Sequence, residues 1–199
     1  MISGLIFLGL LVVLVMWAVG IYNGLIRGRR GYENAFAQID VQLTRRYDLI
    51  PNLVEVAKGY MAHERDTLEA VITARNQAVS GLKNAQANPG DAAAMQALSG
   101  AEGQLTGALG RLFALSEAYP DLKANQNVLK LQGAINETEE QLSASRRAFN
   151  AAVTIFNNSV EVFPSNILAA MMGFRRRTLF EIPESQKARP DVSPVTSSR

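Results

Sequence analysis

The chain contains no cysteine and a single histidine, His63, among its 199 residues. The first absence excludes disulfides, zinc–thiolate sites, iron–sulfur clusters and a cysteine nucleophile. The second excludes multi-histidine metal sites, including a di-iron bundle built from two Glu-x-x-His pairs. His63-Glu64 opens like a zinc-protease motif, but Thr67 stands where the second histidine would be. Aromatic residues make up 7%, low for an all-β core. Charged residues make up 19% against 48% hydrophobic, which excludes a disordered chain. No phosphate-binding loop or dinucleotide fingerprint occurs. No catalytic, cofactor-binding or metal-ligating residue stands out, so a non-enzymatic protein is expected.

The overall excess of base, 20 Lys+Arg against 18 Asp+Glu, is unevenly spread. Residues 31–163 hold 11 basic and 15 acidic side chains, a net of −4. The basic surplus lies at two flanks, Arg27, Arg29 and Arg30 before this body and Arg175, Arg176 and Arg177 after it. An acidic body argues against a nucleic-acid surface.

Residues 1–26 lack any charged side chain, and Ser3 is the only polar residue between Ile2 and Ile21. About 20 apolar residues span a hydrocarbon core of about 30 Å. A soluble core helix would carry a polar stripe, and this segment has none. Trp17 and Tyr22 lie toward the boundary where amphipathic rings settle at headgroups. A cleaved signal peptide would need a basic leader before the apolar stretch, so a retained anchor over 1–26 is the preferred reading. Arg27, Arg29 and Arg30 put the following side in the cytoplasm by the positive-inside rule, with the N-terminus outside. Gly20, Gly24 and Gly28 have the spacing that lets two anchors approach, but a flexible exit from the bilayer is the simpler reading.

Residues 31–163 contain three prolines: Pro51, Pro89 and Pro120. The last two sit in clear breaks followed by Asp91 and Asp121, residues suited to capping a helix. Helices are therefore expected over 31–86, 91–118 and 121–163. In the last, Val128, Ile135, Leu142, Phe149, Phe156 and Phe163 recur every seven residues. Leu131, Thr138, Ser145, Ala152 and Ser159 fill a second seam position, the 3-4 repeat of left-handed helix packing. Leu98, Ala101, Leu105, Ala108, Leu112 and Leu115 repeat the spacing in the second helix. The first carries a stripe from Phe36 through Ile50 and Val54 to Ile72, and its phase survives Pro51, which favours a kink over a break. Three long crossings would leave Phe163 far from the anchor; four would return it. Short breaks favour antiparallel neighbours. The fold class is all-α: an N-terminal transmembrane helix followed by an antiparallel up-and-down bundle over 27–180, with a tail over 181–199 poor in apolar residues and expected to be disordered.

Gly100, Gly103, Gly107 and Gly110 line one side of the second helix, opposite its leucine seam. Helical glycines cost about 1 kcal/mol each relative to alanine, which fits either a smooth face for another helix or subunit, or a weak, uncovered helix. Beyond Pro164, a short helix carrying Ile167, Leu168, Met171, Met172 and Phe174 runs into Arg175, Arg176 and Arg177. It reads as a lid on the bundle's open end, or as a segment lying on an anionic membrane. A Phe163 distal to the anchor would favour the lid. Asn34, Asn52, Asn150 and Asn157 fall in or beside apolar stripes and are expected to fix packing register, while Glu137, Glu139 and Glu140 read as a solvated face.

Three stretches carry a family likeness: NAFAQIDVQLTRRYDLIPNLVEVAKGYMAHERDTLEAV, SEAYPDLKANQNVLKL from Ser116, and ETEEQLSASRRAFNAAVTIFNNSVEVFPSNILAAMMGF from Glu137. Together they closely resemble the bacterial LemA family, from the anchor to about Phe180. The resemblance implies an up-and-down bundle behind one N-terminal membrane helix, with the short N-terminus outside. Phe36, Phe149 and Phe156 stand where the family usually carries Trp or Tyr. The resemblance transfers no catalytic residue, and relatives are associated with membrane organisation, including a magnetosome member. The expected function is a scaffold or adaptor, single-pass in the bacterial inner membrane, contacting protein partners or copies of itself. Alternatives are a membrane-shaping protein using residues 165–177 and self-assembly, and an auxiliary subunit or sensor in an envelope-stress protease system. Expected partners are the bilayer through 1–26 and a homo-oligomer or membrane protein, with no cofactor, metal or nucleic acid.

Overall fold

The computed structural model describes residues 2–181. Among them are six helices and no strand. The first, α1 (Ile2–Lys58), is a single helix of 57 residues, about 85 Å by its rise. It is the one helix among the described residues long and apolar enough to cross a membrane. The flexible exit expected at Gly20, Gly24 and Gly28 is absent, because α1 stays helical through all three. From Leu25 onward, α1 carries a buried stripe through Tyr32, Phe36, Ile39, Leu43, Tyr47, Ile50 and Val54. Pro51 lies inside the helix on its exposed side, where the missing N–H disturbs no packed contact.

The helix expected to reach residue 86 ends instead at Lys58. Gly59 follows, and the chain turns through bonds from the Tyr60 and Met61 N–H groups to the Ala57 carbonyl at 3.0 and 2.9 Å. Met61 is fully buried and plugs this far end. Ala57, Met61 and Leu68 keep a helical phase across the turn, so periodicity alone cannot reveal it. The local sign is the Lys58-Gly59 pair, a basic last turn followed by glycine. The chain returns as α2 (Arg65–Ala87). Asp91 then caps α3 (Ala92–Ser116), its side chain accepting from the Ala94 N–H at 3.1 Å.

The next expected helix is also divided. Pro120 opens a single turn, α4 (Pro120–Lys123), and Asn125 rather than Asp121 caps the long α5 (Gln126–Glu161). The short α6 (Ser165–Met171) follows. α5 lies along α1, α2 along α3 and α2 along α1, while α6 packs against both α5 and α1. There are four long crossings, not three, so Phe163 ends beside the apolar span. This removes the geometry that favoured a lid.

On α5, Val128, Ile135, Thr138, Leu142, Phe149 and Phe156 are buried as the heptad requires, but Phe163 lies past the helix end and is exposed. On α3 the seam is shifted. Glu102 and Leu109 fill the second position, and Ala101 and Ala108 sit only partly buried beside them. The closest helix approaches use other glycines. A Cβ at Gly81 would meet the Leu98 backbone at 3.3 Å, and one at Gly28 would meet Phe156 Cδ2 at 3.3 Å.

Candidate functional site: the span-proximal end of the bundle

An aromatic ladder runs from the core toward the span. Phe36 meets Phe149 edge-on at 5.7 Å, Tyr32 meets Phe156 at 5.1 Å, Phe156 meets Phe174 at 6.4 Å and Phe174 meets Tyr22 at 6.3 Å. Such edge-to-face pairs contribute about 0.5–1.5 kcal/mol beyond burial. Phe149 and Phe156 are fully buried, each against a ring of α1.

Beyond α6 the chain turns at Gly173, which takes a positive φ of 74°, and follows α5 back toward the core. Asn157 donates to the Arg177 carbonyl at 2.9 Å and accepts from the Arg177 N–H at 2.8 Å. Asn150 does the same for Phe180, at 3.0 and 2.8 Å. The spacing explains the match. Seven helical residues rise about 10.5 Å, and three extended residues cover about 10 Å. Two amides one heptad apart thus hold both backbone groups of residues 177 and 180. Phe180 is buried, with the Arg146 guanidinium 4.7 Å above its ring. The Thr178 N–H reaches the Gly90 carbonyl at 2.8 Å, tying this strap to the α2–α3 turn. Of the four asparagines expected in register roles, Asn150 and Asn157 hold the strap, while Asn34 and Asn52 face solvent.

The 165–177 segment therefore divides. Ala169 is buried, Leu168 partly so, and Ile167, Met171 and Met172 project outward. Phe174 and Arg177 turn inward, with Arg177 5.8 Å from the Tyr32 ring. Burial raises the Tyr32 hydroxyl pKa, and Arg177 pulls it partly back. Arg175 and Arg176 face out, and Arg176 pairs with Glu161 at 2.5 Å. On α1, Trp17, Tyr22, Arg27 and Arg30 are exposed, while Arg29 is held by Glu33 at 2.9 Å. Gly100, Gly103 and Gly107 lie elsewhere, lining a groove between α2 and α3. No atom comes within 4 Å of a Cβ built at Gly100, Gly103, Gly107 or Gly110.

A buried charged cluster midway along the bundle was not foreseen. Arg46 of α1 bonds Glu102 of α3 at 3.0 Å and the Thr106 hydroxyl at 3.2 Å, and forms an ion pair with Glu139 of α5 at 2.8 Å. The Tyr47 hydroxyl donates to Glu102 at 2.5 Å, and Arg146 of α5 lies 3.7 Å from the same carboxylate. Arg46, Glu102 and Arg146 are at most 3% exposed. Burial raises the Glu102 carboxyl pKa against the pull of Arg46, Tyr47 and Arg146, and burial lowers that of Arg146. The Tyr47 hydroxyl is pushed far up by burial and by Glu102. Glu139 is thus no part of a freely solvated face. The sign in the sequence was an acidic residue at heptad spacing among leucines, with Arg46 and Arg146 on two other stripes. With Arg46, Tyr47, Glu102 and Arg146 enclosed and Glu139 at the partly open edge, the cluster ties three helices together. Among the described residues, no group of three or more His, Asp or Glu could hold a metal ion.

The chain matches the LemA family over residues 35–193. It is 28% identical over 167 residues to the magnetosome protein MamQ of Magnetospirillum gryphiswaldense, covering 75% of this chain and 61% of that one. It is 26% identical over 175 residues to the magnetosome protein MamQ 2 of Paramagnetospirillum magneticum, covering 80% of this chain and 64% of the relative. Protein LemA of Metamycoplasma hominis is 26% identical over 175 residues, covering 88% of this chain and 75% of its own length. The chain thus spans under two thirds of the MamQ relatives' length. None of these names is that of an enzyme. The matched region takes in α2 to α6 and residues 35–58 of α1, and on that extent the chain belongs to the LemA family.

Proposed function

We propose that the protein is a non-enzymatic scaffold or adaptor, held in the bacterial inner membrane by residues 1–26 with its N-terminus outside. The bundle then stands in the cytoplasm and presents its surface to membrane proteins or to further copies of the chain. The supporting observation is the continuity of α1, one helix from an apolar span into a packed bundle. A rigid joint fixes the distance of each bundle face from the bilayer, and an adaptor needs that. The open groove along Gly100, Gly103 and Gly107 offers a smooth face for a helix of a partner or second copy. Crosslinking in native membranes tests the reading: a defined homo-oligomer or an enriched partner is expected. A strictly monomeric protein with nothing captured counts against it.

A second reading, membrane shaping by self-assembly together with residues 165–177, draws support from the return of α5 to the span. Purified full-length protein reconstituted at high density would then tubulate or tether vesicles, visible by electron microscopy. Smooth, separate vesicles at the same density would dismiss it.

A further inference from the structure

We propose that the turn around α6, with arginines at the exit of α1, forms a second and peripheral contact with the bilayer, seated on the anionic headgroups of the leaflet that α1 leaves. This names the lipid chemistry that the second reading leaves open. It rests on that reading only for the position of residues 165–177, and needs no curvature or self-assembly.

The apolar stretch ends at Ile21 and is long enough for the hydrocarbon core, so Tyr22 to Arg30 stand at headgroup depth. Phe174 touches Tyr22, and Met172 to Arg175 share a depression with Ile26 and Arg29. Exposure along α1 first falls at Ala18, then at Ile21, Gly24 and Leu25, on one side of the helix. The cover that α6 and its flanks give to α1 therefore begins at the edge of the span.

Val162, Phe163, Ile167, Met171 and Met172 are 59, 75, 54, 77 and 50% exposed within eleven residues. Elsewhere on the bundle, large exposed apolar residues such as Val41, Leu129 and Ile155 stand singly. Scattered apolar residues are ordinary on a soluble surface, but a contiguous group marks an interaction site. A lid would bury Ile167 and Met171, whereas α6 buries only Ala169.

The two nearby carboxylates, Glu33 and Glu161, are matched by Arg29 and Arg176. Arg27, Arg30 and Arg175 are exposed and make no ion pair among the described residues. An apolar group rimmed by unmatched arginines at headgroup depth suits a bilayer bearing anionic lipid.

The test uses the full chain in lipid nanodiscs. With no native cysteine, Met171→Cys can carry a single fluorescent label, with Ala62→Cys at the far turn as control. Discs contain phosphatidylcholine alone or mixed with phosphatidylglycerol, each with a headgroup-depth spin-labelled lipid as quencher. The label at 171 should be quenched several-fold more than that at 62, and more in anionic discs than in neutral ones. Arg27→Gln with Arg175→Gln should bring the anionic result down to the neutral one, with helicity unchanged by circular dichroism. A label open to aqueous iodide and blind to the lipid quencher overturns the proposal. So does one shielded from both, which would mean cover by a second copy or a protein partner. Equal quenching in both discs, unmoved by the arginine substitutions, overturns the anionic contact. A quenched label in vesicles that keep their shape dismisses shaping and leaves this contact standing; an unquenched label in tubulated vesicles does the reverse.

Discussion

The two halves of α1 share one backbone geometry and meet opposite surroundings. From Ile2 to Asn23 no residue is buried, and the side chains are apolar all round. From Leu25 to Lys58 one side of the helix is buried, and most of the charged and polar residues lie on the other. Hydrogen bonding within the helix satisfies the backbone in both halves, so the side-chain distribution alone decides which solvent each half requires. The structure also shows that a helix can pass between these regimes without a hinge.

Arginine substitutions break that comparison most strongly. Val12→Arg with Val15→Arg puts two charges at the middle of the span, at about 2.5–3.5 kcal/mol each. The protein should then leave the alkaline-carbonate-resistant membrane fraction, with the bundle's melting unchanged. The same substitution at Val41, exposed on the bundle half, should shift stability by less than about 0.5 kcal/mol. An equal loss at both places would remove the distinction between the halves.

The buried cluster gives the next largest effect. Glu102→Leu leaves two enclosed guanidiniums without their shared carboxylate, at a cost of about 3–5 kcal/mol in chemical denaturation. Glu102→Gln should cost less, since the amide still accepts from Tyr47. The pH dependence has a defined sign. A carboxyl raised above its ordinary 4.5 in the folded state favours the protonated form of that state. Its contribution is full below the unfolded value and is lost as pH rises through the folded one. Relative to Glu102→Gln, the native chain should therefore lose stability as pH climbs above about 4.5. The opposite slope in urea titrations would contradict burial as the dominant influence.

Asn157→Ala strips both hydrogen bonds from the Arg177 backbone, and a loss of about 1–3 kcal/mol is expected. Amide exchange at residues 177–180 should speed up while α2 and α3 keep their protection. The smallest effect is a gain. Gly103→Ala meets open space and should stabilise by about 1 kcal/mol, whereas Gly28→Ala presses on the Phe156 ring and should gain less. If Gly103→Ala also weakens crosslinked assembly, the groove is in use as a close-packing face.

Much of the architecture was legible because it depends on periodicity. The α5 heptad and the stripe of α1 each have one dominant repeat, the span shows by its length without charge, and each appears in the fold. The turn at Gly59 was hidden because Ala57, Met61 and Leu68 stay in phase through a reversal, and phase does not report direction. Parity of the crossings followed from that one turn, and with it the position of Phe163. The charged cluster was hidden for a different reason. Arg46, Glu102 and Arg146 are polar letters at core positions, and only their meeting across three helices makes them buried partners. The strap was partly visible in Asn150 and Asn157, but its extended partner has no repeat to read. The glycine row on α3 is conspicuous by number, whereas of the packing glycines Gly81 stands alone and Gly28 packs against Phe156 of the same chain rather than against a second anchor.

The central claim is that α1 is a single unhinged rod joining the span to the bundle. Spin labels at Leu11→Cys and Thr44→Cys, on full-length protein in nanodiscs, measure it directly. Thirty-three residues of continuous helix predict one narrow population near about 50 Å. A broad or markedly shorter distribution would place a hinge at the exit glycines and contradict the account.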